Sequence, residues 1–525
     1  MRLVAMLLMT CALSSGHFLF AQEPIYKWGE PVTDEKLDRK LEKLLMVSDE
    51  GFILLRSKPD MGTTLKYWLE YYDQQLKLKN TVEVRFNGGV MGDSYDIHDI
   101  QGVNGKIYAF VEHWSKADQM HSLAIKEINS DGSLTDLAEL DGIAAQKIMN
   151  NGFFNVSFSD DGSKLIVLAE LPFEKETKEI VRLTCFETAT MKQVWKQERE
   201  LGWPCEKARN NYVAVDNQGA AYIFKRIWQK PIWQYALYSF NGSDKYNETE
   251  VTNIPEGEIV DYKLRFDQSG DFTVVASYSN KPSAFSKNLT GLWYAKITEP
   301  GSAPQMISTT WPEALLTRMK EKNMLTDYTI QDVLLRKDGN YTVLLEQVKE
   351  GKDVVQGSQP IKYIYSYTYG NFIAYTFDSN TGEAKWWQAF NKKQEVPNQT
   401  EVDHFGGMVY QLKDDYLYVL WNNTELSIPS VPPAGWTEPD GTHYVKHKAF
   451  DEKTKHGTFL HVIAPDGVMV HEDRKYGLPL FNLHKGAVFE MSLCTHFFFE
   501  MNNELVVMAM MHNGGKRYRF GFISF

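Results

Sequence analysis

At 525 residues with 43% hydrophobic side chains, the chain can bury substantial cores, and its 13% aromatic content suits strand surfaces better than helices. A formal net charge of −12 argues against a nucleic-acid groove, which needs clustered Lys and Arg, and weakly against adsorption to anionic lipid. No run beyond the N-terminal region is long and apolar enough to span a membrane as a helix.

The N-terminus reads as an export signal. Arg2 precedes the apolar run Leu3 to Leu13, and Leu19-Phe20-Ala21 fits a signal-peptidase site. Residues 1–21 are therefore expected to be removed, and 22–525 to form one domain in the periplasm or outside a bacterial cell. Cys185, Cys205 and Cys494 then remain, too few for a disulfide framework. Cys185 lies mid-strand and reads as a core hydrophobe, with a Cys185–Cys205 bridge as the alternative.

The rest of the chain repeats a unit of four short strands separated by Gly/Asp turns, the pattern of antiparallel pairing. The first unit is read as Lys43 to Ser48, Gly51 to Ser57, Leu65 to Asp73 and Leu76 to Val84. The second is Tyr95 to Val103, Lys106 to His113, Ser122 to Asn129 and Leu134 to Leu140. The third is Asn155 to Ser159, Lys164 to Leu171, Val181 to Glu187 and Lys192 to Glu200. The fourth is Asn211 to Asp216, Ala220 to Trp228, Trp233 to Phe240 and Glu248 to Asn253. The fifth is Tyr262 to Asp267, Phe272 to Ser279, Gly291 to Thr298 and Gln305 to Thr310. The sixth is Gln331 to Arg336, Tyr341 to Lys349, Ile361 to Asp378 and Glu383 to Phe390. The seventh is Gly407 to Leu412, Tyr416 to Asn422, Thr458 to Ala464 and Val468 to Asp473. The last supplies Ala487 to Phe499, Glu504 to Met511 and Arg517 to Phe525, and its fourth strand can come from Pro24 to Val32. The expected fold is all-β: an eight-bladed β-propeller of four-stranded antiparallel blades closed by the mature N-terminal strand, with seven blades as the alternative.

Two outer strands carry a more specific signature. Cys185 to Trp195 (CFETATMKQVW) and Phe377 to Trp387 (FDSNTGEAKWW) resemble the D-x-x-T-G-x-x-x-W segment of quinoprotein-like (PQQ-like) propellers, the first without the Gly. The resemblance implies a hairpin set by the turn residues and a Trp packed between neighbouring blades. It also places the chain near a superfamily that includes envelope assembly scaffolds. Quinoprotein dehydrogenases of that superfamily stack adjacent cysteines on the quinone, and no two cysteines here are adjacent, so no cofactor is expected.

Loop lengths separate two faces. The turns joining first to second and third to fourth strands are tight, as at Asp160-Asp161-Gly162, Asn217-Gln218-Gly219 and Lys337-Asp338-Gly339. The other connections are long: Pro172 to Ile180, Asn280 to Thr290, Pro312 to Thr326, Glu350 to Pro360 and the largest insertion, 423–457. Insertions gathered on one face of a repeat protein mark it as the binding surface. Within Pro312 to Thr326, Leu315, Leu316 and Met319 have helical spacing after an early Pro.

The largest insertion holds Trp436, His443 and His447. His404 begins blade seven and His484 precedes blade eight, so these five are the expected binding-face residues. His404, His443 and His447 are candidate metal ligands, weighed against solvated loop histidines, because no helix supports the i, i+4 pair. Asp96, His98, Asp99 and Asp403 are expected at the channel mouth, where an Asp–His pair suits acid–base work. A water-filled polar channel is the plainer reading, and no catalytic residue is assigned. The function expected from these features is non-catalytic binding of a protein or cell-envelope partner through the long-loop face. The alternative is an exported enzyme or ligand-binding protein acting on a carbohydrate or peptide at the channel mouth, with or without a metal.

Overall fold

The structure is a computed structural model, and it describes residues 25–33, 39–59, 65–86, 93–206, 211–229, 232–251, 254, 257–267, 269–281, 287–357, 363–392, 394–399, 406–423, 457–470, 478–480, 483–484, 487–492, 498–511 and 517–525. It divides into two compact units, 34–407 and 1–33 together with 408–525. Among the described residues no helix is long and apolar enough to cross a membrane.

The larger unit is a succession of antiparallel meanders. Sheet one pairs Lys40–Ser48, Gly51–Pro59, Leu65–Asp73 and Leu78–Glu83 in chain order. Sheet two follows with Asp93–Val103, Lys106–Ser115, Met120–Ile128 and Leu134–Ala144. Sheet three is Phe153–Phe158, Lys164–Glu170, Lys178–Glu187 and Lys192–Pro204. Sheet four is Asn211–Val215, Ala221–Gln229, Ile232–Asn241 and Lys245–Glu250. Sheet five is Glu258–Phe266, Phe272–Ser279, Gly291–Ile297 and Gln305–Thr310. Sheet six is Tyr328–Leu335, Tyr341–Val354, Tyr363–Phe377 and Ala384–Phe390, with Gln394–Gln399 added to its third strand.

Apolar cores lie between consecutive sheets. In Lys164–Glu170, Leu165, Val167 and Ala169 join the core shared with sheet two, while Ile166 and Leu168 join the core shared with sheet four. A strand buried on both faces reads as a continuous apolar run, and each fully buried aliphatic side chain contributes about 1.5–3 kcal/mol. First strands lie beside first strands: Lys40–Ser48 beside Asp93–Val103, Phe153–Phe158 beside Asn211–Val215, and Glu258–Phe266 beside Tyr328–Leu335. Successive four-stranded meanders packed face to face with neighbouring inner strands are the blades of a β-propeller.

An acidic bulge recurs on these inner strands. The pairing register slips between Ile97 and Asp99, between Ile259 and Asp261, and between Ile330 and Asp332. Each Asp accepts the N–H of the following residue, at 2.8–2.9 Å. Each also reaches the neighbouring inner strand: Asp99 to Lys43 Nζ (2.6 Å), Asp261 to the Ile330 N–H (2.9 Å) and Asp332 to Arg265. An extra residue inverts the in–out alternation, so the sequence reading begins the first strands of sheets five and six at Tyr262 and Gln331, whereas they begin at Glu258 and Tyr328.

Two long connections pack into the body of the unit. Asn288–Leu289 pairs with Leu325–Thr326, and the short helix Glu313–Arg318 buries Leu315 and Leu316 beside Trp311 and Leu325 in the core between sheets five and six. The stretch Glu350 to Pro360, read from sequence as a loop, is strand as far as Val354 and pairs with Tyr363–Tyr369 in a protruding hairpin. Charges at Lys349, Glu350, Lys352 and Asp353 mask its alternation.

In the smaller unit, Val409–Lys413, Tyr416–Asn423, Gly457–Ile463 and Leu478–Leu480 form one sheet. Of the expected fourth strand Val468 to Asp473, Val468 O accepts the Ala464 N–H, Met469 bridges Ile463 and the Val470 N–H donates to Val462 O, while 471–473 lie outside the described residues; Leu478–Leu480 pairs with Thr458–Leu460. The final sheet contains Ala487–Ser492, Phe498–Met501, Glu504–Met511 and Arg517–Ser524, and Ile25–Trp28 and Val32–Thr33 pair along the last of these. Trp28 lies on Gly521, where an added Cβ would come within 2.3 Å of the indole, and the Arg519 guanidinium stacks on the same ring.

Candidate functional site

The tight turns of the larger unit are closed and mutually tied. Gly162 and Gly219 take φ of 67° and 90°, which a side chain would strain. Asn104 Nδ2 donates to Asp161 O (3.2 Å), and the Asp161 N–H donates to Asn217 Oδ1 (3.1 Å), linking the turns of sheets two, three and four. Trp195 is buried and its indole N–H donates to Gly219 O (2.9 Å) in the next sheet. Met191 holds φ of 53° where the second signature has Gly382 at 77°.

The opposite face carries a cleft of about 900 Å³ between sheets two and three. One wall is the end of Leu134–Ala144 and the turn after it. Ala145 N–H donates to Gln119 O (2.9 Å), and the chain continues through Gln146 and Lys147 into the 3-10 turn Ile148–Asn150. Asn150 clamps the facing wall by donating to Phe173 O (3.0 Å) and accepting the Phe173 N–H (2.8 Å). That wall is Leu171 to Glu174 and Thr177 to Ile180, braced where the Cys205 N–H donates to Thr177 O (2.9 Å).

The cleft is charged with both signs. Arg182 is fixed by Asp141 (Nε–Oδ2 2.8 Å), whose side chain is 3% exposed, and by Gly142 O (2.7 Å). Lys178 faces Glu200 at 3.4 Å, and Asp118 accepts from Ser115 Oγ at 2.7 Å. Lys147 and Glu174 line the same cleft and have no ion pair among the described residues. Ile143, Ala145, Leu171, Pro172 and Ile180 give it apolar surface, and Met149, 92% exposed, lies in the chain between Lys147 and Asn150, which line it.

Sequence-predicted Asp96, His98 and Asp99 share the first strand of sheet two and sit in a titratable cluster. Glu112 Oε1 meets His98 Nδ1 at 2.8 Å and its Oε2 meets His121 Nε2 at 3.3 Å. Burial alone would raise the Glu112 carboxyl, but hydrogen bonds from His121 and His98 and the charges of both rings outweigh it and bring it down to about 2. The bond to Glu112 raises His98 against the opposing effect of burial. Partial desolvation, then the neighbouring Glu112 charge, raises Asp96. Burial followed by the charges of Asp96, Glu42 and Asp99 pushes Tyr67 up to about 12. Asp99 is held by Lys43, the Ile100 N–H and Gln101 Nε2 (2.8 Å).

His404, Asp403, Trp436, His443 and His447 lie outside the described residues. His484 falls in the two-residue strand Leu483–His484. Among the described residues no group of three or more His, Cys, Asp or Glu side chains is arranged to hold a metal. Cys185 and Cys205 are not bridged to each other, and Cys185 is fully buried. Sequence reasoning missed Glu112 and His121, which come from the second and third strands, and named of the cleft only the connection Pro172 to Ile180. The repeated Ile-x-Asp-hydrophobic pattern at 97–100, 259–262 and 330–333 was a readable signal for the bulges.

The chain matches no protein-family model and no curated protein. Among solved structures it is similar to the WD40 domain of SCAP from fission yeast at 10% identity, covering 95% of this chain and 98% of that one, with a TM-score of 0.36. It is similar to the β-propeller domain of the Trilobed protease from Pyrococcus furiosus at 9% identity, covering 70% and 97%, with a TM-score of 0.32. It is also similar to polysaccharide lyase Uly1 at 10% identity, covering 84% and 94%, with a TM-score of 0.33. Likenesses this low say nothing of activity, and the blade reading above rests on strand order and packing.

Proposed function

We propose that this chain is an exported, eight-bladed propeller of the quinoprotein-like kind that binds a protein or cell-envelope partner through its long-loop face, without catalysis. The observation that carries this reading is the cleft between sheets two and three. It opens on the face with the long connections, is walled by one of them, Pro172 to Ile180, and by the turn after Ala144, and combines apolar surface with charge of both signs, the makeup of a recognition site. The docking of Trp195 on Gly219 O supports the superfamily resemblance, and the Leu19-Phe20-Ala21 site supports export. Acid–base chemistry at Asp96, His98 and Asp99 is the weaker reading, because His98 is committed to Glu112 and Asp99 to three donors.

The test is site-specific photocrosslinking in the native cell envelope. A photoreactive phenylalanine at Met149 is expected to capture one discrete partner, and the same group at Asn217 or Asp338, on the tight-turn face, is not. Equal capture from both faces, or capture only from the turns, would overturn the assignment of the binding face.

A further inference from the structure

The cleft has a feature that narrows what it takes. Leu134–Ala144 and Lys192–Pro204 are the edge strands of sheets two and three, and both end in the cleft. The Ala145 N–H turns inward to Gln119 O. By the alternation of an antiparallel strand, the N–H and C=O of Ala144 therefore point away from the sheet. They lie on the side where Gly142 O accepts the Arg182 guanidinium, and Ala144 is exposed. An edge strand that ends with outward backbone groups in an enclosed cleft is a template for one more strand.

We propose that the cleft binds an extended peptide segment of the partner protein, adding it as a short strand at the edge around Ala144. Its acidic group meets Lys147 and its basic group meets Glu174. This rests on the binding-face reading above and deepens it. The chemistry selects against other occupants. Glu174, Glu200 and Asp118 oppose a polyanion such as nucleic acid, and the ionised side chains on both walls oppose a purely apolar lipid chain. A peptide supplies backbone donors and acceptors together with side chains of either charge. Arg182 is engaged by Asp141 and Gly142, so it positions the wall, and the charge selection falls to Lys147 and Glu174.

Cys205 gives the readout. It lines the cleft and is half-buried, whereas Cys185 is fully buried. With Cys494→Ser and a chain beginning at Gln22, a bimane label is directed to Cys205. Dodecapeptides selected from a phage-displayed library on this protein are synthesised and titrated against the label. Cellohexaose and chitohexaose are titrated alongside them. The expected result is saturable bimane quenching by peptides carrying both an acidic and a basic residue. Affinity should fall about tenfold or more in Lys147→Glu, with partial rescue by a peptide whose acidic residue is changed to Lys. Ala144→Pro, which removes the outward N–H at a strand edge where Pro is tolerated, should weaken binding similarly. If that variant misfolds, the Lys147→Glu charge rescue decides alone. Peptides that bind without quenching, or with equal affinity for Lys147→Glu, overturn the proposal, as does quenching by the hexasaccharides alone. If photocrosslinking from Met149 still captures a partner while no peptide competes, this inference falls and the binding-face reading stands. If Met149 captures nothing, the binding-face reading falls as well.

Discussion

The third strand of sheet three, which forms one wall of the cleft, is anchored from behind by a buried ion pair. Lys225 Nζ lies 2.9 Å from Glu179 Oε2 and 3.1 Å from Asn211 Oδ1, and Asn211 Nδ2 donates to Glu179 Oε1 at 2.7 Å. Glu179 is 0% and Lys225 1% exposed, so the pair is withdrawn from water. Lys225→Met keeps the side-chain length and deletes the ammonium. We expect a loss of about 3–5 kcal/mol in local stability, the usual cost of breaking a buried pair. Because the chain has two units, a global melt would blur the effect, so the assay is hydrogen exchange of peptides spanning Asn211–Gln229. At about 1.4 kcal/mol per tenfold, protection there should fall by roughly two to three and a half orders of magnitude. Glu179→Gln with Lys225→Met leaves a neutral network that can still bond Asn211, and should recover at least about half of the loss. A Lys225→Met protein whose protection changes less than about tenfold would show that the pair does not hold the sheets together.

Three further outcomes are expected. The Glu112 carboxyl is lowered to about 2 and His98 is raised, so their stabilisation is complete only between their unfolded values, about 4.3 and 6.5. It is lost on the acid side as pH falls toward 2 and on the basic side above the raised His98 value, so the stability difference between wild type and Glu112→Gln should peak in that window. A difference flat from pH 3 to 9 would contradict the cluster. Trp195→Phe should cost about 1 kcal/mol for the lost bond to Gly219 O, and Trp195→Ala about 3–5 kcal/mol, both read by exchange in sheets three and four. Equal costs would mean that the indole N–H adds nothing. Gly521→Val places atoms inside the Trp28 ring and should release Ile25–Trp28 from the last strand, seen as rapid N-terminal proteolysis and aggregation through the uncovered edge.

Most of the strand order was legible because the turns announce themselves. Asp160-Asp161-Gly162 and Asn217-Gln218-Gly219 fix where hairpins reverse, and the apolar runs that follow them, Lys164 to Leu171 and Ala220 to Trp228, read as strands. What alternation could not show was any strand that breaks its own period. The bulges at Asp261 and Asp332 hid the starts of two inner strands, and charges on one face hid the outer part of the Tyr341–Val354 hairpin. The site was less legible for a different reason. Asp96, His98 and Asp99 are adjacent in sequence and could be named, but their partner Glu112 arrives through cross-strand register, and His121 from one strand further. The cleft draws on residues from Asp118 to Cys205, and no local pattern marks them as neighbours.

The distribution of satisfied charge argues for where recognition occurs. Along the inner strands the acidic groups are cross-tied, Asp99 to Lys43, Asp261 to the Ile330 N–H and Asp332 to Arg265, and deep in the sheets Glu179 and Glu346 are matched by Lys225 and Lys392. Such pairs do little for net stability but penalise any other packing, because each misalignment leaves a buried charge alone. Of these, Asp99–Lys43 ties sheet two to sheet one, and Glu179–Lys225 ties sheet three to sheet four. At the cleft Lys147 and Glu174 have no ion-pair partner among the described residues and stand beside an outward backbone edge at Ala144. A ligand there meets groups that are positioned by the sheets behind them and still free to bond, so little binding energy goes into ordering the site.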